Sequence, residues 1–425
     1  MNRKGFFMKL YKYMVFHTFF LLPLLLTGCG KYVPYISSPN TESTGISQQA
    51  SSGTEVSPAP QSTEATAETE PEKTPDSGAA GQTESPLSQD LYETRARELL
   101  SSMTLEEKVG QMFFVRLRKD SAIEDIKTYH LGGFILFGDD FKDETKDSIK
   151  ELIKSYQSTS SIPLLIGADE EGGTVCRVSK YTAFRSEPFQ SPQDLYKQGG
   201  MDAIRTDTRE KAALLLGLGI NVNLAPVCDV SSDPNDFIYR RSFGQEAGAT
   251  ADYVKTIIEE MKKERIGSTL KHFPGYGSNG DTHTGSATDT RNYDQFVRSD
   301  FLPFQTGIQA GADSVLVSHN IVTSIDEQSP ASLSPAVHDI LREALDFQGV
   351  IMTDDLSMEA IKDHTSDADA AVLAITAGND LLVATDFDTQ IPAVLNSVNN
   401  GILTEERINA SVVRVLVWKL KLGIL

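Results

Sequence analysis

Eight short apolar runs, separated by stretches with helical spacing, constrain the fold of this chain more than any other feature. The runs lack the alternation of a half-exposed sheet, so each predicts a strand buried on both faces. They are Met112–Val115, Phe134–Phe137, Pro163–Ala168, Val222–Val227, Ser268–Phe273, Ser314–Ser318, Gly349–Thr353 and Leu381–Ala384. Eight strands that alternate with helices predict a single (β/α)8 barrel, and a doubly wound open sheet is the alternative.

Helical signals fill the gaps between these runs. Thr104 and Glu107 have the spacing of a capping box at a helix start. Apolar residues recur at i, i+3, i+4 and i+7 from Ile149 and again from Val254, which predicts helices that face a core. No Gly-x-Gly-x-x-Gly motif follows the first strand and no Walker loop is present, which disfavours nucleotide-binding folds.

The N-terminus has the order of charges and apolar residues that is typical of a secretory signal. Four Lys and Arg residues precede residue 13, and the apolar stretch Met14–Leu26 is too short for a comfortable transmembrane helix. The stretch ends in Leu26-Thr27-Gly28-Cys29, which resembles a bacterial lipobox. We expect a signal peptide at 1–28, lipidation of Cys29 and an extracytoplasmic protein anchored to the cell membrane; a plain signal peptide with a chance cysteine is the alternative.

Residues 29–88 predict a disordered tether between this anchor and a catalytic body at 89–425. The segment 30–88 is rich in Ser, Thr, Pro and Glu, and no aromatic residue occurs between Ile36 and Leu91. Such a composition cannot bury enough apolar area to offset its chain entropy.

Charge and cysteine content exclude several classes of function. Asp and Glu number 59 against 39 Lys and Arg, a net charge of −20, which disfavours a nucleic-acid partner. Three cysteines exclude a disulfide scaffold and a Cys-rich zinc module. We interpret Cys176 and Cys228 as packed thiols, with a disulfide between them as the alternative, and we expect a monomer.

Polar residues collect directly after five of the predicted strands, where the active site of a barrel lies. One such residue alone is as well explained by a helix cap as by chemistry, but five clusters at one barrel mouth favour a site. The clusters begin at Asp169, Asp229, Lys271, His319 and Asp354.

These motifs resemble glycoside hydrolase family 3, in the branch of bacterial β-N-acetylglucosaminidases that act on cell-wall muropeptides. The resemblance covers roughly residues 90–425 and depends on Thr104-Leu-Glu-Glu-Lys-Val-Gly-Gln-Met-Phe, Asp169-Glu-Glu-Gly-Gly, Lys271-His-Phe-Pro-Gly and Thr353-Asp-Asp-Leu-Ser-Met. It implies the barrel without the second α/β sandwich domain of longer members.

The resemblance also implies the catalytic residues. Asp354 matches the nucleophile, and Asp355 is interpreted as a supporting group or a helix cap. His283, paired with Asp281 in an Asp-x-His spacing, matches the acid/base of this branch. A histidine can protonate the leaving oxygen and then deprotonate water, because its ordinary pKa lies near neutral.

Substrate contacts are implied at matching positions. They are Asp169, Arg177, Arg241, Lys271 and His272, with His319 and Asn320 as weaker candidates. Three departures from the branch leave the aglycone preference open: Thr174 after Gly-Gly, Tyr276 in place of a common His, and a shorter loop up to His283. The resemblance implies no cofactor and no metal.

The sequence therefore predicts a retaining exo-β-N-acetylhexosaminidase that acts on peptidoglycan-derived or related glycans. A β-N-acetylglucosaminide phosphorylase and a β-glucosidase of the same family are alternatives. A non-catalytic sugar-binding lipoprotein is the alternative from another class, which the combination of Asp354, Asp281 and His283 disfavours.

Overall fold

Eight parallel strands form the centre of the protein. The computed structural model describes residues 89–282 and 285–425, so the expected signal peptide, Cys29, the tether up to residue 88 and His283 lie outside the described residues. The strands are β1 (Phe113–Arg116), β2 (Gly133–Leu136), β3 (Leu165–Ala168), β4 (Val222–Asn223), β5 (Gly267–Phe273), β6 (Ser314–Val317), β7 (Val350–Thr353) and β8 (Leu382–Ala384). Each overlaps its predicted run.

The pairing of the strands distinguishes a barrel from an open sheet. Hydrogen bonds connect the strands in the order β7-β6-β5-β4-β3-β2-β1-β8. A parallel bridge between Met352 and Leu381 joins the two edge strands. The (β/α)8 prediction is therefore confirmed, and the open-sheet alternative is wrong.

Helices surround the barrel and follow the predicted apolar spacing. The α-helices are α1 (Gln89–Leu100), α2 (Leu105–Gln111), α3 (Ala122–Tyr129), α4 (Lys146–Thr159), α5 (Pro192–Leu218), α6 (Ala247–Glu264), α7 (Tyr293–Arg298), α8 (Phe301–Ala310), α9 (Pro335–Asp339), α10 (Glu359–Lys362), α11 (Asp367–Ala377), α12 (Phe387–Asn399) and α13 (Glu405–Lys421). The predicted capping box of Thr104 and Glu107 begins α2. No helix within 89–282 or 285–425 is long and apolar enough to cross a membrane.

Alternation along the strands decides which side chains reach the barrel mouth. Phe114, Leu165 and Met352 belong to one apolar cluster inside the barrel, whereas their neighbours Phe113 and Ile351 belong to the core beneath the helices. Successive strand residues point to opposite faces. A residue two positions beyond an inward residue at a strand end therefore points into the mouth.

Helix α13 closes the opposite end of the barrel. Val415 and Trp418 of this helix belong to the interior cluster. Gly267 at the start of β5 makes room for the indole, because a Cβ there would lie 3.0 Å from Trp418 Cζ2. Apolar side chains of α13 thus fill the barrel interior at its base.

Candidate active site

Asp354 follows β7 and is two positions beyond the inward residue Met352, so it points into the mouth. Its backbone N–H donates to the carbonyl of Val317 at 2.9 Å, and its Oδ1 accepts from the N–H of Asp355 at 2.9 Å. The half-buried carboxylate is thereby held at a fixed place at a strand end.

Asp355 points the other way and supports the strand end. Its Oδ2 accepts from Thr385 Oγ1 at 2.7 Å, and its Oδ1 accepts from the N–H of Ser357 at 2.9 Å. The backbone carbonyl of Asp355 lies 2.9 Å from Nε2 of His319. These contacts agree with the interpretation of Asp355 as a supporting group.

His319 and Asn320 follow the end of β6. Both side chains are fully buried. Nδ1 of His319 contacts Ser332 Oγ at 2.7 Å, and Asn320 Oδ1 accepts from Ser318 Oγ. These contacts support the ends of β6 and β7, and the role of both residues in a sugar subsite stays a prediction.

A buried lysine joins two carboxylates on the floor of the mouth. Nζ of Lys271 lies 2.6 Å from Oδ1 of Asp169 and 2.6 Å from Oε1 of Glu171. The lysine is only 2% exposed. Asp169 also accepts from Arg177, at 3.4 Å from both Nε and Nη2.

Arg241 and His272 extend this chain of contacts. The guanidinium of Arg241 donates to both oxygens of Glu171, at 3.0 and 2.8 Å, and Nη2 lies 3.1 Å from Nε2 of His272. Since a guanidinium only donates, Nε2 accepts, and the ring proton is on Nδ1. Nδ1 donates to Asp229 Oδ2 at 2.8 Å, which fixes the orientation of the ring.

Neighbouring charges keep Glu171 and Arg241 ionised although both are buried. Burial alone would raise the pKa of Glu171, but the charges of Arg241 and Lys271 outweigh burial and hold the pKa well below its usual range. Burial opposes the charge of Arg241 as well, and Glu171 raises its pKa further above the ordinary value. The floor therefore presents fixed donors and acceptors, which suit a ring with several hydroxyl groups.

The predicted substrate residues Asp169, Arg177, Arg241, Lys271 and His272 are thus in one connected network. Sequence reasoning assigned no role to two of its members, Glu171 and Asp229. The alternation of side chains along an extended segment could have indicated Glu171. Glu171 lies two residues after Asp169 on the same side, whereas Glu170 turns away and accepts from the N–H of Val178 at 2.7 Å.

The loop after β5 carries the expected acid/base. Tyr276 is 1% exposed, and its hydroxyl lies 2.6 Å from Oγ1 of the fully buried Thr282. Burial and then the charge of Asp354 raise the pKa of Tyr276 far above its ordinary value, which places this ring near the nucleophile candidate. Asp281, next to Thr282, is half-buried.

The two cysteines of the described residues are not bonded to each other. Cys176 and Cys228 are buried free thiols, as the packed-thiol interpretation predicts. Within the described part of the chain, no group of three or more His, Cys, Asp and Glu could hold a metal ion.

Comparison with known proteins identifies the family. The family model described as "Glycosyl hydrolase family 3 N terminal domain" matches residues 104–417. The chain therefore belongs to glycoside hydrolase family 3, and it is a glycoside hydrolase.

Relatives and solved structures agree with this assignment. Beta-hexosaminidase LpqI of Mycobacterium tuberculosis is 30% identical over 326 residues, which cover 74% of this chain and 82% of the relative. A family 3 β-N-acetylglucosaminidase structure from a Paenibacillus species is 29% identical with a TM-score of 0.71, covering 76% of this chain and 63% of that one. The solved structure of M. tuberculosis LpqI is 27% identical with a TM-score of 0.70, covering 75% of this chain and 95% of that one.

Proposed function

We propose that the protein is a retaining exo-β-N-acetylhexosaminidase. It removes terminal β-linked N-acetylglucosamine from peptidoglycan-derived or related glycans through a covalent glycosyl-enzyme. One observation carries the proposal: Asp354 points into the mouth whose floor holds the connected network around Lys271. The choice of N-acetylglucosamine is supported by the names of the relatives, beta-hexosaminidase and β-N-acetylglucosaminidase.

Asp354 serves as the nucleophile in this proposal. Its carboxylate attacks the anomeric carbon, the bond to the leaving oxygen breaks, and a glycosyl ester forms on the carboxylate. Asp169, Lys271 and Arg241 hold the hydroxyl groups of the same sugar, so the reacting atoms stay aligned.

His283 and Asp281 serve as the acid/base pair. His283 protonates the departing oxygen in the first step and takes a proton from water in the second. Asp281 orients the ring and stabilises its protonated form. This role depends on the sequence motif, since His283 lies outside the described residues.

The direct test is a panel of aryl β-glycosides with the wild-type protein and Asp354→Asn. We expect N-acetylglucosaminide to be cleaved fastest, and Asp354→Asn to lose nearly all activity. Retained activity in Asp354→Asn refutes the assignment of the nucleophile. Phosphate-dependent release of a sugar phosphate identifies a phosphorylase, and preferred cleavage of the glucoside identifies a β-glucosidase.

The acid/base assignment is tested by the leaving group. His283→Ala should slow cleavage of alkyl glycosides by about 10²–10⁴-fold, the usual contribution of general acid–base catalysis. The leaving oxygen of a nitrophenyl glycoside needs less protonation, so cleavage of these substrates should be slowed less. Added azide should restore their turnover, because this anion attacks the glycosyl-enzyme without a base. Equal losses on both substrates without azide rescue contradict the assignment.

Attachment to the outer face of the cell membrane is part of the proposal. It is supported by the sequence Leu26-Thr27-Gly28-Cys29 after a basic and then apolar segment. Metabolic labelling with a fatty acid should mark the wild-type protein and leave Cys29→Ala unmarked. An unmarked wild-type protein refutes lipidation.

A further inference from the structure

A buried ion pair on α5 contacts the floor of the site and is not used by the proposed chemistry. Lys211 and Asp207 of this helix are each 8% exposed. Nζ of Lys211 lies 2.6 Å from Oδ2 of Asp207 and donates to the backbone carbonyl of Glu171 at 2.7 Å. A helix on the outside of the barrel thus reaches the backbone of a residue whose carboxylate belongs to the floor.

The hairpin that carries Glu171 is irregular at this residue. Its strands Glu170–Gly172 and Val175–Cys176 are antiparallel, and their register shifts between Glu170 and Gly172. Glu171 therefore lies at a bulge, where the regular ladder of backbone hydrogen bonds is interrupted. A buried carbonyl at such a place needs a donor from elsewhere, and Lys211 supplies one.

The residue after Glu171 makes a tight turn. Gly172 has a φ of +98°, and a Cβ there would lie 2.2 Å from the backbone carbonyl oxygen of Gln190. Only glycine adopts this conformation in so little space without strain. The turn and the bond from Lys211 together fix the peptide between Glu171 and Gly172.

The orientation of this peptide decides which glutamate faces the floor. Side chains of successive residues in an extended backbone point to opposite sides. Glu170 accepts from the N–H of Val178 at 2.7 Å, whereas Glu171 accepts from Arg241 and lies 2.6 Å from Nζ of Lys271. A rotation of the backbone at Glu171 would move its carboxylate away from both cations.

We propose that Lys211 is a positioning residue of the sugar-binding floor. Its ammonium holds the backbone of Glu171, and the carboxylate of Glu171 then keeps Arg241 and Lys271 in place for the sugar. Asp207 compensates the charge of the buried lysine. The inference deepens the proposed glycosidase function and rests on it.

Removing both charges of the pair together tests this role. Lys211→Met alone leaves Asp207 buried without its partner, which is strongly destabilising. In Asp207→Asn/Lys211→Met, we expect kcat/KM on an aryl β-N-acetylglucosaminide to fall roughly tenfold, the effect of one hydrogen bond from a charged donor. Asp207→Asn alone keeps the bond to Glu171 and should stay close to wild type. Thermal melting checks that each variant is folded at the assay temperature.

A double-mutant cycle with Glu171→Ala separates positioning from general structural support. If Lys211 acts through Glu171, the same two substitutions should cost almost nothing in Glu171→Ala, because no carboxylate is left to position. General structural support would instead give the same loss in both backgrounds. As a control, Lys255→Gln/Glu259→Gln removes an exposed pair with the same i,i+4 spacing from α6, and it should keep the wild-type kcat/KM.

A crystal structure of Asp207→Asn/Lys211→Met tests the geometry without any substrate. We expect the carboxylate of Glu171 to lie beyond hydrogen-bonding distance of Arg241. A carboxylate in its wild-type place, full activity of this variant, or an equal loss in the Glu171→Ala background overturns the inference. Failure of the wild-type protein to cleave any aryl glycoside, with Glu171 displaced in the crystal structure, refutes the glycosidase proposal and supports the positioning role.

Discussion

Two buried lysines at opposite ends of the barrel have contrasting surroundings. Lys271 at the mouth is 2% exposed and lies 2.6 Å from each of two carboxylates. Lys419 at the base is fully buried, and its Nζ donates to the neutral amide oxygen Oε1 of Gln111 at 2.6 Å. Burial lowers the pKa of Lys419 to about 7.

The difference shows how the fold separates function from stability. The carboxylates that pair with Lys271 lie on the floor of the mouth, where we propose that the sugar binds. Lys419 lies in α13 beside Trp418, and within the described part of the chain no carboxylate forms an ion pair with it. A substitution at the mouth should therefore change activity first, and one at the base should change stability first.

The largest effect is expected from Lys271→Met. The change leaves Asp169 without its close ammonium partner and removes one of two cations from Glu171. We expect kcat/KM on an aryl N-acetylglucosaminide to fall by about 10²-fold or more, because the sugar loses its positioning. Unfolding free energy should fall by about 3 kcal/mol, as for a broken buried ion pair. Near wild-type kcat/KM would contradict the role of the network.

A matched control for this variant lies on α4. Lys154 is exposed on the outer surface of the protein. Lys154→Met should leave both kcat/KM and the melting temperature close to wild type, since it removes charge without removing a buried partner.

Lys419→Met should have the opposite effect. The unfolded lysine titrates near 10.4, so between about pH 7 and 10 the unfolded chain binds a proton that the folded chain does not. Unfolding free energy should therefore rise with pH over this range in the wild-type protein. Lys419→Met should flatten that rise and stabilise at pH 7 by about 1–3 kcal/mol, after the loss of the Gln111 bond.

Denaturant unfolding at pH 7 and pH 9 measures both quantities. Activity of Lys419→Met should stay close to wild type, because the base lies at the far end from the mouth. A destabilised variant with an unchanged pH slope would show that Lys419 is charged in the folded protein.

The smallest expected effects come from removing one hydroxyl group at the mouth of the barrel and one at its base. Tyr276→Phe removes the hydrogen bond to Thr282 beside the expected acid/base. Ser411→Ala removes the bond that Ser411 donates to Asp380 at 2.7 Å and the one it accepts from Arg407, both at the base. A neutral hydrogen bond contributes about 0.5–1.5 kcal/mol, and one to a charged group about 1.5–3 kcal/mol. Tyr276→Phe should lower kcat about threefold to tenfold, whereas Ser411→Ala should lower only the melting temperature. A loss of kcat in Ser411→Ala, with only a lower melting temperature in Tyr276→Phe, would contradict the assignment of function to the mouth and stability to the base.

The sequence predicted the strands well because each is short, apolar and buried on both faces. It favoured the barrel but left the open sheet as an alternative, because the bridge between Met352 and Leu381 depends on closure of the whole ring. The base was not predicted either, since the apolar spacing of α13 is the same for a helix that lies beside a barrel and for one that closes it.

The site was predicted unevenly for a similar reason. The motifs gave Asp354, Asp169, Lys271 and their neighbours by position, and the structure brings the floor residues into contact. Glu171 was missed, because three successive acidic residues do not show which of them turns inward. His319 was suggested as a subsite residue because it follows a strand, and the structure adds its contact with the backbone of Asp355, which the sequence could not show.

The most direct test of the account is to identify the residue that carries the sugar during turnover. Incubation with an activated 5-fluoro-β-N-acetylglucosaminide, which forms the glycosyl-enzyme faster than water removes it, should add the mass of one fluorosugar. Fragmentation of the digested protein should place that mass on Asp354, with none in Asp354→Asn. A sugar found on Asp355 or Asp169, or inverted product without any adduct, would contradict the account.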